Sequence, residues 1–247
     1  MSRSEFSTAY RRGPVAHASA AGALRIALLC LAGLAATWVI AALVPVAHVK
    51  DAVALYDFTR LGRPRVDLLA NHLLGLLEPG LYTVWAIALV AAALLRGRAR
   101  LALAVAVVLP LAPLSAEVLK PLLAHPHAYA GLKDITAASW PSGHATAAMT
   151  LALCAVLVAP YTLRPLVAAL GMGFVVAVGV SLLILAWHMP SDVFGGYLLA
   201  ALWVSLAVAA LRASAPRRPS ASRHSPRRRE LRRAAPGVGA VRAGLPQ

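Results

Sequence analysis

Charged residues cut the chain into long apolar stretches. Between Arg25 and Lys50 lie 24 uncharged residues, between Glu78 and Arg96 17, and between Arg100 and Glu117 16, with two more before Lys120. Further on, 29 separate Asp134 from Arg164, 27 separate Arg164 from Asp192, and 19 separate Asp192 from Arg212. A helix needs about 20 mostly apolar residues to cross the hydrocarbon core of a bilayer. The pattern therefore predicts six spans, at 24–47, 77–95, 101–119, 143–160, 165–187 and 192–211. The expected fold class is all-α, a polytopic membrane protein built as a six-transmembrane-helix bundle. Pro110 and Pro113 fall inside the third span, where proline is tolerated if neighbouring groups re-satisfy the freed carbonyls. The first apolar run exceeds the roughly 7–15 residues of a signal-peptide core, so it is read as a retained helix.

Residues 48–76 differ in kind. Asp51, Asp57, Arg60, Arg63 and Asp67 are interspersed with Val53, Leu55, Phe58, Leu61 and Leu68, a mix suited to an interfacial helix or a partly ordered loop. The organisation expected is a cytoplasmic segment over 1–22, a membrane domain over 23–211, and a tail over 212–247. The tail is rich in Pro, Ser, Ala and Arg, which predicts disorder.

Composition narrows the class further. Of 247 residues, 60% are hydrophobic and 13% charged, and the mean hydropathy is +0.72. Soluble domains carry about 45–50% apolar and about 25% charged residues. A water-soluble globule and a disordered chain are both excluded. Lys and Arg number 24 against nine Asp and Glu. Ten arginines run from Arg212 to Arg242, with Glu230 the one acid among them. In a membrane protein this tail is read as touching anionic lipid headgroups, not nucleic acid. With both termini cytoplasmic, 18 basic residues fall inside and six outside, which sets the orientation of a multi-pass protein of the plasma membrane. Cys30 and Cys154 both lie in apolar runs, so neither a disulfide framework nor a cysteine metal site follows.

The polar residues at span ends cluster on the side expected to face outside. Lys120 ends the third span. Trp140-Pro141-Ser142-Gly143-His144 opens the fourth, and His188-Met189-Pro190-Ser191-Asp192 joins the fifth to the sixth. Ionisable groups near membrane spans are costly to hold there and mark functional sites. A helix opening after Ser142-Gly143 presents free N–H groups and a positive dipole end, an anion site to which Lys120 adds a point charge. His188 and Asp192, spaced i and i+4, can pair on one turn. The carboxylate would then fix the imidazole tautomer and leave the other ring nitrogen free to act as nucleophile or base. His144 is a second imidazole, available as general acid. Taken one at a time, each feature has an ordinary structural reading: an interfacial histidine, a Ser cap, an ion pair of Lys120 with Glu117. Their joint order is what points to a site.

That order resembles the type 2 phosphatidic acid phosphatase (PAP2) superfamily of membrane lipid phosphatases, whose motifs are Lys-x6-Arg-Pro, Pro-Ser-Gly-His and Ser-Arg-x5-His-x3-Asp. Lys120 opens the first, residues 141–144 match the second in full, and Ser181, His188 and Asp192 match the third. The resemblance covers residues 77–211. It implies metal-free double displacement without a cofactor. His188 attacks phosphorus, Asp192 orients it, and His144 protonates the leaving oxygen and then helps activate water. Lys120, Ser142 and the Gly143 N–H would hold the phosphoryl oxygens. Two motif arginines are replaced. The first falls at His127, with its proline at Ala128, and the third-motif arginine falls at Leu182. His127 is accordingly a candidate phosphate contact, cationic at mildly acidic pH, and Lys133, Arg63 or Arg65 are candidates to reach in. Two functions follow. One is a phosphatase acting on a lipid phosphate or diphosphate at the outer face. The other is a catalytically impaired PAP2-like protein with a lipid-binding or scaffold role. The scarcity of charge in mid-span argues against a transporter or channel.

Overall fold

Prolines set most of the helix boundaries. The computed structural model describes residues 19–125 and 135–214, which form eight α-helices and one short 3-10 turn at Tyr161–Leu163, with no strand among them. Helix α1 spans Ala20–Leu43, capped by Ser19, whose Oγ accepts from Gly22 N at 3.0 Å. The first predicted span ran on to 47. It stops earlier because Pro45 forces Val44 into an extended conformation and then starts α2, Pro45–Thr59. Pro64 starts α3, Pro64–Gly75, and Pro79 starts α4, Pro79–Leu95. The segment expected as an interfacial helix or loop is thus two helices, and α3 meets α4 at a 53° bend.

Helix α5, Ala99–Leu122, runs unbroken through Pro110, Pro113 and Pro121. Pro113 has no N–H to give Leu109, and the Tyr82 hydroxyl of α4 donates to that freed carbonyl at 2.8 Å. Helices α6, Gly143–Val158, α7, Arg164–Ile184, and α8, Pro190–Ala213, complete the bundle. Helix α1 packs along α8 through small residues, Ala23 and Ala27 among them, and turns Leu24, Leu28 and Leu29 outward. That is how membrane helices associate when lipid is as apolar as leucine.

Helices α1, α5, α8 and the α7 stretch with its leading turn are each long and apolar enough to cross a membrane, and the bent α3–α4 pair is a fifth candidate. Helix α6 is shorter, at 16 residues or about 24 Å, and is packed on α4, α5, α7 and α8. Small residues allow this central position: Ala145, Ala147 and Ala148 are buried, and Thr146 and Thr150 turn their hydroxyls back onto the carbonyls of Ser142 and Thr146, each at 2.7 Å. A helix lies at each of the six expected spans, but four of them are long enough to cross alone, α4 qualifies only together with α3, and the central α6 is shorter.

The two ends of the bundle differ chemically. At one end Arg98 donates to the Leu157 carbonyl at 3.0 Å, Arg100 to the Leu211 carbonyl at 3.4 Å and to Ser214 Oγ, and Arg164 to the Ala159 carbonyl at 3.4 Å. These arginines satisfy the last carbonyls of α6 and α8, where a cation also suits the helix dipole. The polar motifs lie at the other end.

Candidate active site

Three chain segments converge at the N-terminus of α6. Ser142 is fully buried, and its N–H donates to the Asp192 carbonyl at 2.9 Å, joining the start of α6 to the first turn of α8. Two glycines of α8 make this approach possible. A Cβ on Gly196 would stand 2.6 Å from the Ser142 carbonyl oxygen, and one on Gly195 would stand 2.7 Å from Trp140 Nε1. The Ser142 hydroxyl accepts from Ala145 N at 3.4 Å, so it serves as the cap of α6 and retains its own proton to donate. Ala145 and Thr146 find their acceptors in Ser142. Gly143 and His144, the first two helical residues, have N–H groups without a helical acceptor.

His188 sits in the tight connection between α7 and α8. Helix α7 was expected to reach 187 and instead ends at Ile184, because the chain turns there. Ala186 adopts φ +54°, its N–H donates to the Leu183 carbonyl at 3.1 Å, and Trp187 N donates to the Leu182 carbonyl at 3.0 Å. That is a Schellman closure with alanine at the position glycine usually takes. After the turn, Asp192 Oδ2 accepts from Met189 N at 2.9 Å and lies 3.3 Å from His188 Nδ1. Both side chains are buried, and Asp192 Oδ1 has no partner among the described residues. With Nδ1–H directed at the carboxylate, the lone pair of His188 resides on Nε2.

The other expected residues lie around this pair. His144, in the first turn of α6, packs its ring edgewise on Trp187 with centroids 5.8 Å apart, and its electrostatic neighbours are His188, Lys120, Glu117 and Glu78. Lys120, in the last turn of α5, pairs with Glu117, its Nζ donating at 2.7 and 2.9 Å. A cavity of about 920 Å³ opens between α4 and α5 and ends at Glu117, Gly143 and His144. Its walls below that point are apolar, with Tyr82, Ile87, Val90 and Leu114 among them. His127 and Lys133 lie outside the described residues. Arg63 and Arg65 are exposed at the start of α3.

A family model described as the PAP2 superfamily matches residues 7–215. The chain belongs to the PAP2 superfamily. Among solved structures, the fold is similar to that of a transmembrane PAP2-type phosphatidylglycerolphosphate phosphatase from Bacillus subtilis. The identity is 20%, the match covers 79% of this chain and 98% of that one, and the TM-score is 0.63. No curated protein matches the chain at a significant level. Membership makes this chain a PAP2-type membrane phosphatase.

Within the PAP2 frame, two features went unseen in the sequence. Asp51 of α2 accepts from Ser191 N at 3.1 Å and from Ser191 Oγ at 2.6 Å, so a carboxylate 140 residues away caps the helix that carries Asp192. Nothing local to Asp51 signals this, since it sits in a segment of mixed charge. Leu182, at the position of the third-motif arginine, is fully buried in a cluster with Leu55, Leu74, Ala145 and Val178. It fills its place with packing and leaves no vacancy.

Proposed function

We propose that this PAP2 protein hydrolyses a lipid phosphate or diphosphate at the outer membrane face through a phosphohistidine on His188. The observation that carries the reading is the His188–Asp192 pair at 3.3 Å, joined to the start of α6, whose Gly143 and His144 line the end of an apolar cavity. Nε2 of His188 attacks phosphorus as the bond from phosphorus to the lipid oxygen breaks. Protonated His144 gives its proton to that oxygen, and the lipid alcohol leaves, or the lipid monophosphate where the substrate is a diphosphate. A water molecule then attacks the phosphoryl group, neutral His144 accepts its proton, and the P–Nε2 bond breaks to release phosphate. Asp192 holds the Nδ1–H tautomer and offsets the charge that develops on the ring. Lys120, the Gly143 N–H, Ser142 and His127 are the proposed contacts to the phosphoryl oxygens. The apolar cavity suits a lipid tail, which favours a lipid over a soluble phosphate ester.

The outer-face assignment rests on charge. Arg98, Arg100 and Arg164 lie at the end of the bundle opposite His188, and short arginine-bearing loops stay cytoplasmic.

The packing of Leu182 favours a second reading, a PAP2 protein that binds lipid without turnover, since a phosphate clamp is absent there. One assay separates the two. Purified protein in detergent is given phosphatidate, phosphatidylglycerol phosphate or a polyprenyl diphosphate, with EDTA present. Phosphate release that is lost in His188→Ala supports the enzyme. Binding of the same lipids without release supports the second reading.

A further inference from the structure

Glu117 has no part in the reaction scheme, yet it occupies the place that scheme gives to the phosphate. A Cβ built on Gly143 would stand 2.5 Å from Glu117 Oε1 and 3.8 Å from Lys120 Nζ. The same carboxylate takes two hydrogen bonds from Lys120 Nζ. The features that would hold a phosphoryl group are the N–H groups at the start of α6 that have no helical acceptor, the missing Cβ of Gly143, and the Lys120 ammonium. Glu117, an anion of the chain itself, lies against the Gly143 position and is bonded to the Lys120 ammonium.

We propose that Glu117 is a built-in competitor for the phosphate seat, a carboxylate that the substrate phosphoryl group displaces and that returns as phosphate leaves. This rests on the phosphate contacts proposed above. Exposure makes the exchange feasible. The Glu117 side chain is 56% exposed and that of Lys120 21%, so the pair is weak and Glu117 can swing into water without breaking the core. Glu117 also lines the polar end of the apolar cavity, beside Gly143 and His144, so it moves at the junction between lipid tail and phosphate. Its consequence is looser binding of every phosphate species at the seat, the product included. In a site where Leu182 stands at a motif arginine, the competing carboxylate weakens phosphate binding further.

The ordinary alternative is that Glu117 merely holds Lys120 in position, and it predicts the opposite sign. The experiment is an orthophosphate titration of purified full-length protein in detergent, read by calorimetry, for wild type, Glu117→Gln, Glu117→Asn and Lys120→Ala. Both Glu117 variants are exposed substitutions that keep a polar side chain. The expected result is orthophosphate bound about two- to fivefold more tightly by Glu117→Gln and Glu117→Asn, the size of an exposed charge–charge effect, and more weakly by Lys120→Ala. Unchanged or weaker binding in the Glu117 variants, with Lys120→Ala still defective, overturns the competitor and leaves the phosphate seat standing. Orthophosphate binding that is absent from wild type or indifferent to Lys120→Ala overturns the seat and the competitor together.

Discussion

Leu182 is buried with no surface exposed, in one apolar cluster with Leu55 of α2 and Leu74 of α3. An arginine there would have to bury its guanidinium among leucines or push α2 and α3 aside. Restoring the family residue is therefore expected to harm the protein. Leu182→Arg should cost about 3–5 kcal/mol, the scale of an uncompensated buried charge, and lower the midpoint of thermal unfolding in detergent. A variant as stable as wild type that binds phosphate more tightly would mean that the leucine had only left a gap. The sequence shows that a leucine stands where the arginine would but not what surrounds it, because the cluster is assembled from helices far apart in the chain. The His188–Asp192 pair is different. It was legible as an i, i+4 spacing, although His188 precedes α8 and meets Asp192 across the connection, where Asp192 Oδ2 also accepts from Met189 N at 2.9 Å.

At the scale of elements, the gaps between charges located every long helix within a few residues, because a bilayer span demands an uncharged run. The errors came where local chemistry stops a helix inside such a run. Pro45 ends α1 before the apolar stretch does, and the Ala186 turn ends α7 so that His188 can reach Asp192. Helix α2 looked like an interfacial segment and instead reaches the first turn of α8, where Asp51 accepts from the Ser191 N–H and hydroxyl. Losing a helix cap costs about 0.5–2 kcal/mol. Here the loosened turn carries Asp192 and, through it, His188. Asp51→Ala should lower kcat about tenfold with little change in KM, and Asp51→Asn, which keeps one acceptor oxygen, should fall between. Steady-state kinetics on a single lipid phosphate check this. An unchanged kcat in Asp51→Ala would make the contact structural only.

For the whole molecule, the two chemically distinct ends make a topological statement. The arginine end should face the cytoplasm and the His188 end the outside. Ala130→Cys and Ser222→Cys, each in a protein with Cys30 and Cys154 replaced by alanine, test it with an impermeant thiol reagent on intact cells. Labelling at 130 and protection at 222 are expected, and the reverse would invert the bundle. The account as a whole turns on the nucleophile. The most direct measurement is acid–base stability of the phosphoenzyme formed when wild type and His188→Ala are mixed briefly with a radiolabelled lipid phosphate and quenched. The account predicts an alkali-stable, acid-labile label on His188, and neither label nor phosphate release in His188→Ala. Phosphate release by His188→Ala at the wild-type rate would contradict it.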